Sequence, residues 1–399
     1  MTEKNIWEKN LFLLCFSQFF YRAGSRSLLP FLPLYAKNLG NLNTSDSAVW
    51  TGWILAAPFI ISFFTTPFWG SVGDKYGRKF TAMLSIIGFV IAQYLMSGAV
   101  SLLYLFLASS LQEFFGGAYP AAVSLTAANS PKEKTADALS YLQFSNALGN
   151  IAGPIFGGFL ADAFGFRFVF IAVGTIVLLF STPVLFFINE DCIQKEAHYH
   201  SIFKNSKYFF NKKGLIACSI LLLAYTLSIT IMRPGFTLFV QSNFEAIKNP
   251  ASTAGILLGI LGAASSVSTL FLPWLNKKLS IVKNIFITFL FAGLLFIILP
   301  MNQNILLFGF IIFLTGFATG IILPLIFSLM SYETDNERKA GVMGVGSSFQ
   351  MVGNLVGPIS AGYIISAFGV KFPFIFSGAV LLIAIVIYLK LGKQSDLSQ

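Results

Sequence analysis

The chain has 399 residues, of which 56% are hydrophobic and only 11% are charged. A soluble domain carries about 25% charged residues, so water cannot be the solvent for most of this surface. The composition excludes an ordinary water-soluble domain, and basic loops beside a membrane explain the net charge of +10 better than nucleic-acid binding does.

Long apolar stretches predict an all-α integral membrane protein. A helix needs roughly 20 mainly apolar residues to cross a bilayer, whereas a transmembrane β-barrel would show short alternating segments. No cleavable signal peptide is evident, so we interpret the first apolar stretch as the first span. Twelve transmembrane helices are predicted, at residues 10–35, 48–71, 80–98, 102–125, 138–162, 167–188, 214–240, 252–274, 284–300, 305–330, 341–366 and 372–390.

The basic residues predict the orientation of these spans. With the N-terminus in the cytoplasm, 19 of the 26 Lys and Arg fall in cytoplasmic loops and tails. Only four fall outside: Lys37, Arg167, Lys248 and Lys371. Because cytoplasmic loops carry an excess of Lys and Arg, we expect a multi-pass protein of the inner (plasma) membrane with both termini cytoplasmic.

An internal repeat divides the chain into two halves. Residues 148–170 and 352–374 are identical at 11 of 23 positions, at an offset of 204 residues. We therefore expect two six-helix bundles related by pseudo-two-fold symmetry, at residues 1–188 and 214–399, joined by a cytoplasmic linker at 189–213. The basic linker could lie as an amphipathic helix on the inner leaflet or be simply solvated. Many secondary transporters build two bundles around a midplane site from such repeats.

Two motifs accompany the repeat. The loop after the second span reads GSVGDKYGRK, at residues 70–79. Its glycines allow helix ends to approach closely, and its carboxylate is favourable near a helix N-terminus. Span five contains G-x-x-x-G-P-x-x-G-G, in which small residues allow close helix packing in lipid and Gly-Pro permits a kink. The residues of this second motif are Gly149, Gly153, Pro154, Gly157 and Gly158.

The loop resembles the signature of the major facilitator superfamily, in which it acts as a cytoplasmic latch. It matches that signature at Gly70, Asp74, Gly77 and Arg78. The span-five motif is similar to the antiporter motif of the family's drug:proton efflux branch. The resemblance covers essentially the whole chain and implies a twelve-span secondary transporter of the multidrug-resistance type, not an enzyme.

Span four departs from the pattern of this branch. The branch usually carries R-x-x-Q-G, but Ser109 replaces the arginine and Glu113 replaces the glycine. The resemblance links that arginine to proton coupling, which puts the usual proton route in doubt. Glu113 is the one acid that we place in mid-membrane. Because intramembrane acids often relay protons, we interpret it as the proton carrier. The alternative is a glutamate that pairs with an arginine and holds helices together.

Three arginines lie within predicted spans: Arg22, Arg26 and Arg233. Arg22 and Arg26 are four residues apart and share a helix face. Facing lipid would cost several kcal/mol, so we expect both to face a cavity, where guanidinium groups could bind an anionic or zwitterionic substrate. The alternative is that Glu113 neutralises one arginine and the others reach toward the headgroups. Four further residues are predicted to contact substrate: Gln18, Tyr21, Tyr119 and Asn146.

These observations predict proton-coupled efflux of a small organic solute by alternating access. The expected partners are that solute, protons and the lipid bilayer, with no nucleic acid, for a chain that acts as a monomer. No cofactor or metal is expected, since Cys15, Cys192 and Cys218 are scattered and His198 and His200 lie in a polar segment. The alternatives are a proton-coupled uptake symporter for an anionic metabolite or siderophore, and a non-transporting receptor or sensor with the same fold.

Overall fold

The computed structural model describes residues 3–182, 186–188, 208–244, 247–335 and 338–396. Every regular element within these ranges is helical. Most of the predicted linker, at 189–207, lies outside the described residues. The α-helices are α1 Glu3–Ser27, α2 Leu32–Gly40, α3 Thr44–Tyr76, α4 Arg78–Ser97, α5 Leu102–Phe114, α6 Ala118–Asn129, α7 Thr135–Phe164, α8 Phe166–Phe180, α9 Lys213–Asn243, α10 Pro250–Lys278, α11 Ile281–Ile298, α12 Ile305–Gly320, α13 Ile322–Tyr332, α14 Lys339–Phe368 and α15 Phe372–Asp396.

Length and hydropathy identify this fold as a membrane one. Within the described part of the chain, eight helical segments are long and apolar enough to cross a bilayer, and α8 is a shorter apolar helix. These segments are Arg78–Ser97, Thr135–Phe164, Lys213–Asn243, Pro250–Lys278, Ile281–Met301, Ile305–Tyr332, Gly341–Phe368 and Phe372–Lys390. The protein is therefore an all-helical, multi-pass membrane protein.

The first, fourth and tenth predicted spans are each interrupted beside a proline in the part of the chain that the structure describes. The first, predicted at 10–35, breaks around Pro30, where a 3₁₀ turn at Leu29–Phe31 separates α1 from α2. The fourth and tenth break just before Pro120 and Pro324, respectively, which lie 204 residues apart. Proline has no N–H to donate to the carbonyl four residues earlier, so the preceding turn loses a hydrogen bond and the helix restarts.

Residue contacts divide the chain into two compact units. Unit 1 comprises Met1–Leu42, Trp53–Ala197 and Ile247–Gly259, and unit 2 comprises Asn43–Gly52, His198–Ala246 and Ile260–Gln399. In unit 1, α1 packs most extensively on α7, and α4 packs on α8, α5 and α6. In unit 2, α9 packs on α14 and α15.

The span-five glycines bring α7 directly against α1. A Cβ atom on Gly149 would lie 2.9 Å from the Phe19 carbonyl oxygen, and one on Gly153 would lie 2.5 Å from the Ala23 carbonyl oxygen. Gly157 is closer still to the carbonyl of Ser27. The glycines at every fourth position thus form the flat face on which α1 lies, as small residues do at helix crossings in lipid.

The corresponding glycines of the repeat make the same type of contact inside unit 2. There α14 lies against α9, with Gly353 facing Thr226 and Gly357 facing Thr230. The Thr230 hydroxyl donates to the Gly353 carbonyl at 2.9 Å. The internal repeat therefore encodes a helix crossing of one kind in each unit.

Candidate functional site

Glu113 lies at the break between α5 and α6. Helix α5 ends at Phe114 and α6 begins at Ala118, with the Gly116 N–H donating to the Glu113 carbonyl at 2.9 Å. The indole N–H of Trp69, from α3, donates to the Phe114 carbonyl. Trp69 thereby satisfies a backbone group that the interrupted helix leaves open, as a membrane interior requires. The Phe115 ring fills the space beside Gly88 of α4, which has no room for a Cβ.

Arg22 and Arg26 of α1 belong to the same cluster as Glu113. Arg22 Nε donates to Asn146 Oδ1 at 3.1 Å, and its guanidinium carbon lies 5.1 Å from the centre of the Tyr119 ring. The guanidinium groups of Arg26 and Arg22 are both within electrostatic reach of the Glu113 carboxyl group. Unit 1 thus brings together two cations from the first predicted span and one anion from the fourth.

The remaining predicted contact residues of unit 1 lie around this cluster. Tyr21 is buried and packs on Phe89, with ring centroids 5.0 Å apart. Its phenol is within electrostatic reach of Glu113. Gln18, one turn earlier, is buried, and its Oε1 accepts no hydrogen bond among the described residues. Ser109, which replaces the arginine of the family pattern, donates to the Phe106 carbonyl of its own helix.

Arg233 lies in unit 2, so the geometry of the first cluster does not include it. It lies on α9 immediately before Pro234, where its side chain is solvent-accessible although protein atoms surround it on most sides. Tyr225 lies about two turns earlier on the same helix, within electrostatic reach of the guanidinium group. Its predicted role in binding substrate stays a prediction.

A cavity of about 220 Å³ extends from Glu113 toward the loop at residues 70–79, which we call the latch loop. Its lining is rich in hydroxyl groups and includes Ser62, Thr65, Arg78, Thr81, Glu113 and Ser124. Beside it, the buried Ser85 hydroxyl has no hydrogen-bond partner within the described residues and lies against Gly117. A cavity of this size has room for several water molecules, and its hydroxyl groups and charged side chains offer the polar partners that such waters need.

The latch loop is compact around Gly77 and Arg78. Gly77 has a φ of 97°, a left-handed conformation that favours glycine, and it separates α3 from α4. An Arg78 guanidinium N–H donates to the Ser124 carbonyl at 3.0 Å, which ties the loop to the middle of α6. The structure does not describe the surroundings of Gly70 or the side chain of Asp74, so the predicted roles of these two residues stay predictions.

Metal ligands do not gather within the described ranges. There, no group of three or more His, Cys, Asp and Glu residues is placed to hold a metal ion. Cys192, His198 and His200 fall in 189–207, outside those ranges.

Known proteins resemble this chain along nearly its whole length. The model of the Major Facilitator Superfamily matches residues 14–350 and 251–397. The chain is 29% identical over 380 residues, 94% of its length and 92% of the relative's, to the multidrug resistance protein MdtG of Escherichia coli (strain SMS-3-5 / SECEC).

Solved structures share the fold at lower sequence identity. A bacterial homolog to the human lysosomal transporter Spinster, in an inward-facing and occupied conformation, has a TM-score of 0.79 at 15% identity and covers 96% of both chains. The nucleoside transporter NupG has a TM-score of 0.81 at 13% identity over 96% of this chain and 99% of its own. The chain belongs to the Major Facilitator Superfamily and is a membrane transporter, not an enzyme.

Proposed function

We propose that the protein is a proton-coupled exporter of small zwitterionic organic solutes that works by alternating access in the inner membrane. Glu113 carries the proton, and Arg22 and Arg26 hold the anionic group of the substrate. The observation that carries this proposal is the grouping of two arginines with one glutamate at an interrupted helix. The name of the Escherichia coli relative, a multidrug resistance protein, supports export.

Charge arithmetic selects a zwitterion over a simple anion for exchange. With Glu113 ionised, the three groups carry a net charge of +1, which protonation raises to +2. A simple anion is therefore held best when Glu113 is protonated, so the proton and the anion bind together. A substrate ammonium group instead pairs with the Glu113 carboxylate and competes with the proton, while the substrate carboxylate binds the arginines. Only this second linkage gives antiport.

The 220 Å³ cavity supports a proton route separate from the substrate. It connects Glu113 with Arg78 and with hydroxyl groups of α3, α4 and α6. Water bound to these hydroxyl groups would move protons between the carboxyl group and the cytoplasmic latch loop. Arg78, as a fixed positive charge at the far end, would keep metal cations out of this route.

Proton-coupled uptake of an anion is the second candidate, and the excess of arginine over glutamate favours it. The two candidates predict opposite pH dependence of binding. We would measure thermal stabilisation of the purified protein by 2-aminobutanoate and by butanoate at two pH values, in wild type and in the Glu113→Gln variant. Antiport requires that 2-aminobutanoate binds more tightly to the wild type at the higher pH and that its binding to Glu113→Gln shows no such pH dependence. Tighter butanoate binding at the lower pH, with no aminoacid binding, would replace export by uptake symport.

Direction is then measured in sealed vesicles. Inverted vesicles with an acidic interior should accumulate the radiolabelled aminoacid, and collapse of the gradient by a protonophore should abolish accumulation. Accumulation only in right-side-out vesicles with an acidic exterior would mean uptake. Specific substrate binding with no flux in either orientation would favour the receptor alternative.

A further inference from the structure

A second, larger cavity lies along α1 and α7, wholly within unit 1. It has a volume of about 810 Å³, within the range of about 300–1,000 Å³ that is usual for small-molecule sites. We call it the aromatic groove. Its lining residues are Trp7, Glu8, Leu11, Phe12, Cys15, Phe16, Phe19, Phe20, Lys134, Asp137, Ala138, Tyr141, Phe144, Ser145 and Leu148.

Helical register connects this groove to the charged cluster. On α1, the groove residues Phe12, Cys15 and Phe19 recur at intervals of three and four, and the same intervals lead on to Arg22 and Arg26. Residues at this spacing share one helix face. On α7, Ser145 lines the groove, and the next residue, Asn146, binds Arg22. The end of the groove near Phe19, which we call its inner end, therefore adjoins the arginine pair.

The two ends of the groove differ in chemistry. The end near Trp7, which we call the outer end, contains Glu8, Lys134 and Asp137. The Lys134 ammonium lies 5.7 Å from the centre of the Trp7 ring. A Trp among charged residues is typical of a membrane–water interface. From Trp7 to Phe20 the lining is otherwise mostly aromatic and aliphatic, with Cys15, Tyr141 and Ser145 as the exceptions. This stretch is about 20 Å long at 1.5 Å per helical residue. This exceeds the roughly 15 Å depth of one hydrocarbon leaflet.

The groove has no charged side chain between its outer end and Arg22 that would pair with a polar ligand. An occupant must therefore be apolar along its length and carry its charges at the inner end. We infer that the substrate is an amphiphile whose zwitterionic head binds Arg22, Arg26 and Glu113 and whose apolar tail lies in the aromatic groove. The inference rests on the proposed function for the head and adds the chemical class of the tail.

A homologous series of straight-chain 2-amino acids, from 2-aminobutanoate to 2-aminodecanoate, isolates the contribution of the tail. Binding would be measured by calorimetry on the full-length protein in lipid nanodiscs, with empty nanodiscs subtracted. Burial of each CH₂ in an apolar site should tighten binding roughly fourfold. The gain should continue to the end of the series, because the alkyl tail of 2-aminodecanoate is shorter than the groove.

Matched variants locate the tail. Phe144 and Phe156 lie on the same helix with exposed fractions of 62% and 63%, but only Phe144 lines the groove. Phe144→Ala should reduce the gain per CH₂, whereas Phe156→Ala should leave it unchanged. Phe12→Ala is a second groove variant at an exposed position, so at least one variant should retain the wild-type melting temperature.

The outcomes separate this inference from the proposed function. If 2-aminobutanoate binds and Arg22→Gln abolishes its binding, while affinity stays constant along the series, the head site stands and the groove assignment fails. An equal loss of slope in Phe144→Ala and Phe156→Ala would also overturn the groove assignment. If no member of the series binds, the zwitterion site itself fails and the groove loses its ligand.

Discussion

Glu113 is the residue on which energy coupling depends. Glu113→Gln keeps the size and polarity of the side chain but cannot exchange a proton. We expect transport driven by a pH gradient to fall at least tenfold in proteoliposomes. Exchange of substrate between the two sides without a gradient should continue, but at higher substrate concentrations, because the ammonium group of the substrate loses its ionic partner. Glu133→Gln, at an exposed loop acid, is the control and should behave as wild type. Full gradient-driven transport by Glu113→Gln would assign the proton to another group.

Substitution of Arg22 tests whether substrate binding needs only a positive charge or also the planar guanidinium group. Arg22→Lys preserves the positive charge but removes the planar donor that bonds Asn146 Oδ1 at 3.1 Å and stacks near Tyr119. We expect affinity for the zwitterion to fall about tenfold, since hydrogen bonds to charged groups contribute roughly 1.5–3 kcal/mol. Titration calorimetry would measure the loss. Wild-type affinity in Arg22→Lys would mean that a point charge suffices and that Asn146 and Tyr119 only pack.

At the residue scale, the sequence predicts which residues carry functional charges better than it predicts which residues lie close together. The mid-membrane charges of Arg22, Arg26 and Glu113 were evident because charged residues inside spans are rare. Their grouping follows from the fold, which no spacing in the chain encodes. The Trp69 indole that satisfies the Phe114 carbonyl was missed, because a hydrogen bond between distant spans leaves no local pattern. The signal for the helix break was present in Gly116, Gly117 and Pro120.

At the scale of elements, the crossing of α1 and α7 depends on glycine. Gly153→Ala would place a Cβ 2.5 Å from the Ala23 carbonyl, so α7 would have to move away from α1. We expect a destabilisation of about 1–3 kcal/mol, typical of overpacking, seen as a lower melting temperature in detergent. The same displacement would disturb the contact of Asn146 with Arg22 and weaken substrate binding.

Gly344→Ala in α14 is the matched control for this crossing. A Cβ at Gly344 would meet no atom within 4 Å, so alanine should be neutral or slightly stabilising there. An equal loss of stability in both variants would show that the close approach of α1 and α7 does not determine the effect at Gly153.

Element boundaries show where the pattern of hydropathy stops being informative. The apolar stretches predicted 10–35 and 305–330 as single spans, whereas each contains two helices. Apolar side chains continue through the breaks, because lipid and protein interior favour them regardless of backbone conformation. The prolines at 30, 120 and 324 were the available signal, because each removes a backbone donor, and hydropathy does not measure that loss.

At the scale of the whole molecule, the repeat explains why the two units contain helix crossings of the same kind. The shared glycine spacing places α7 on α1 and α14 on α9. Two short stretches nevertheless group with the unit that contains most of the other half of the chain. Asn43–Gly52 belongs to unit 2, and Ile247–Gly259 belongs to unit 1. A division at 1–188 and 214–399, drawn from the sequence repeat alone, does not include this exchange of short stretches, and it stays a prediction.

The distribution of basic residues predicts the orientation of the whole molecule, and α10 provides the test. Lys248 precedes this helix and Lys277 lies in its last turn, and both side chains are exposed. In a variant lacking the three native cysteines, Lys277→Cys should react with a membrane-impermeant maleimide only in inverted vesicles. Lys248→Cys should react only in right-side-out vesicles. The reverse pattern would place the latch loop outside, and the excess of Lys and Arg could no longer be explained by the inner leaflet.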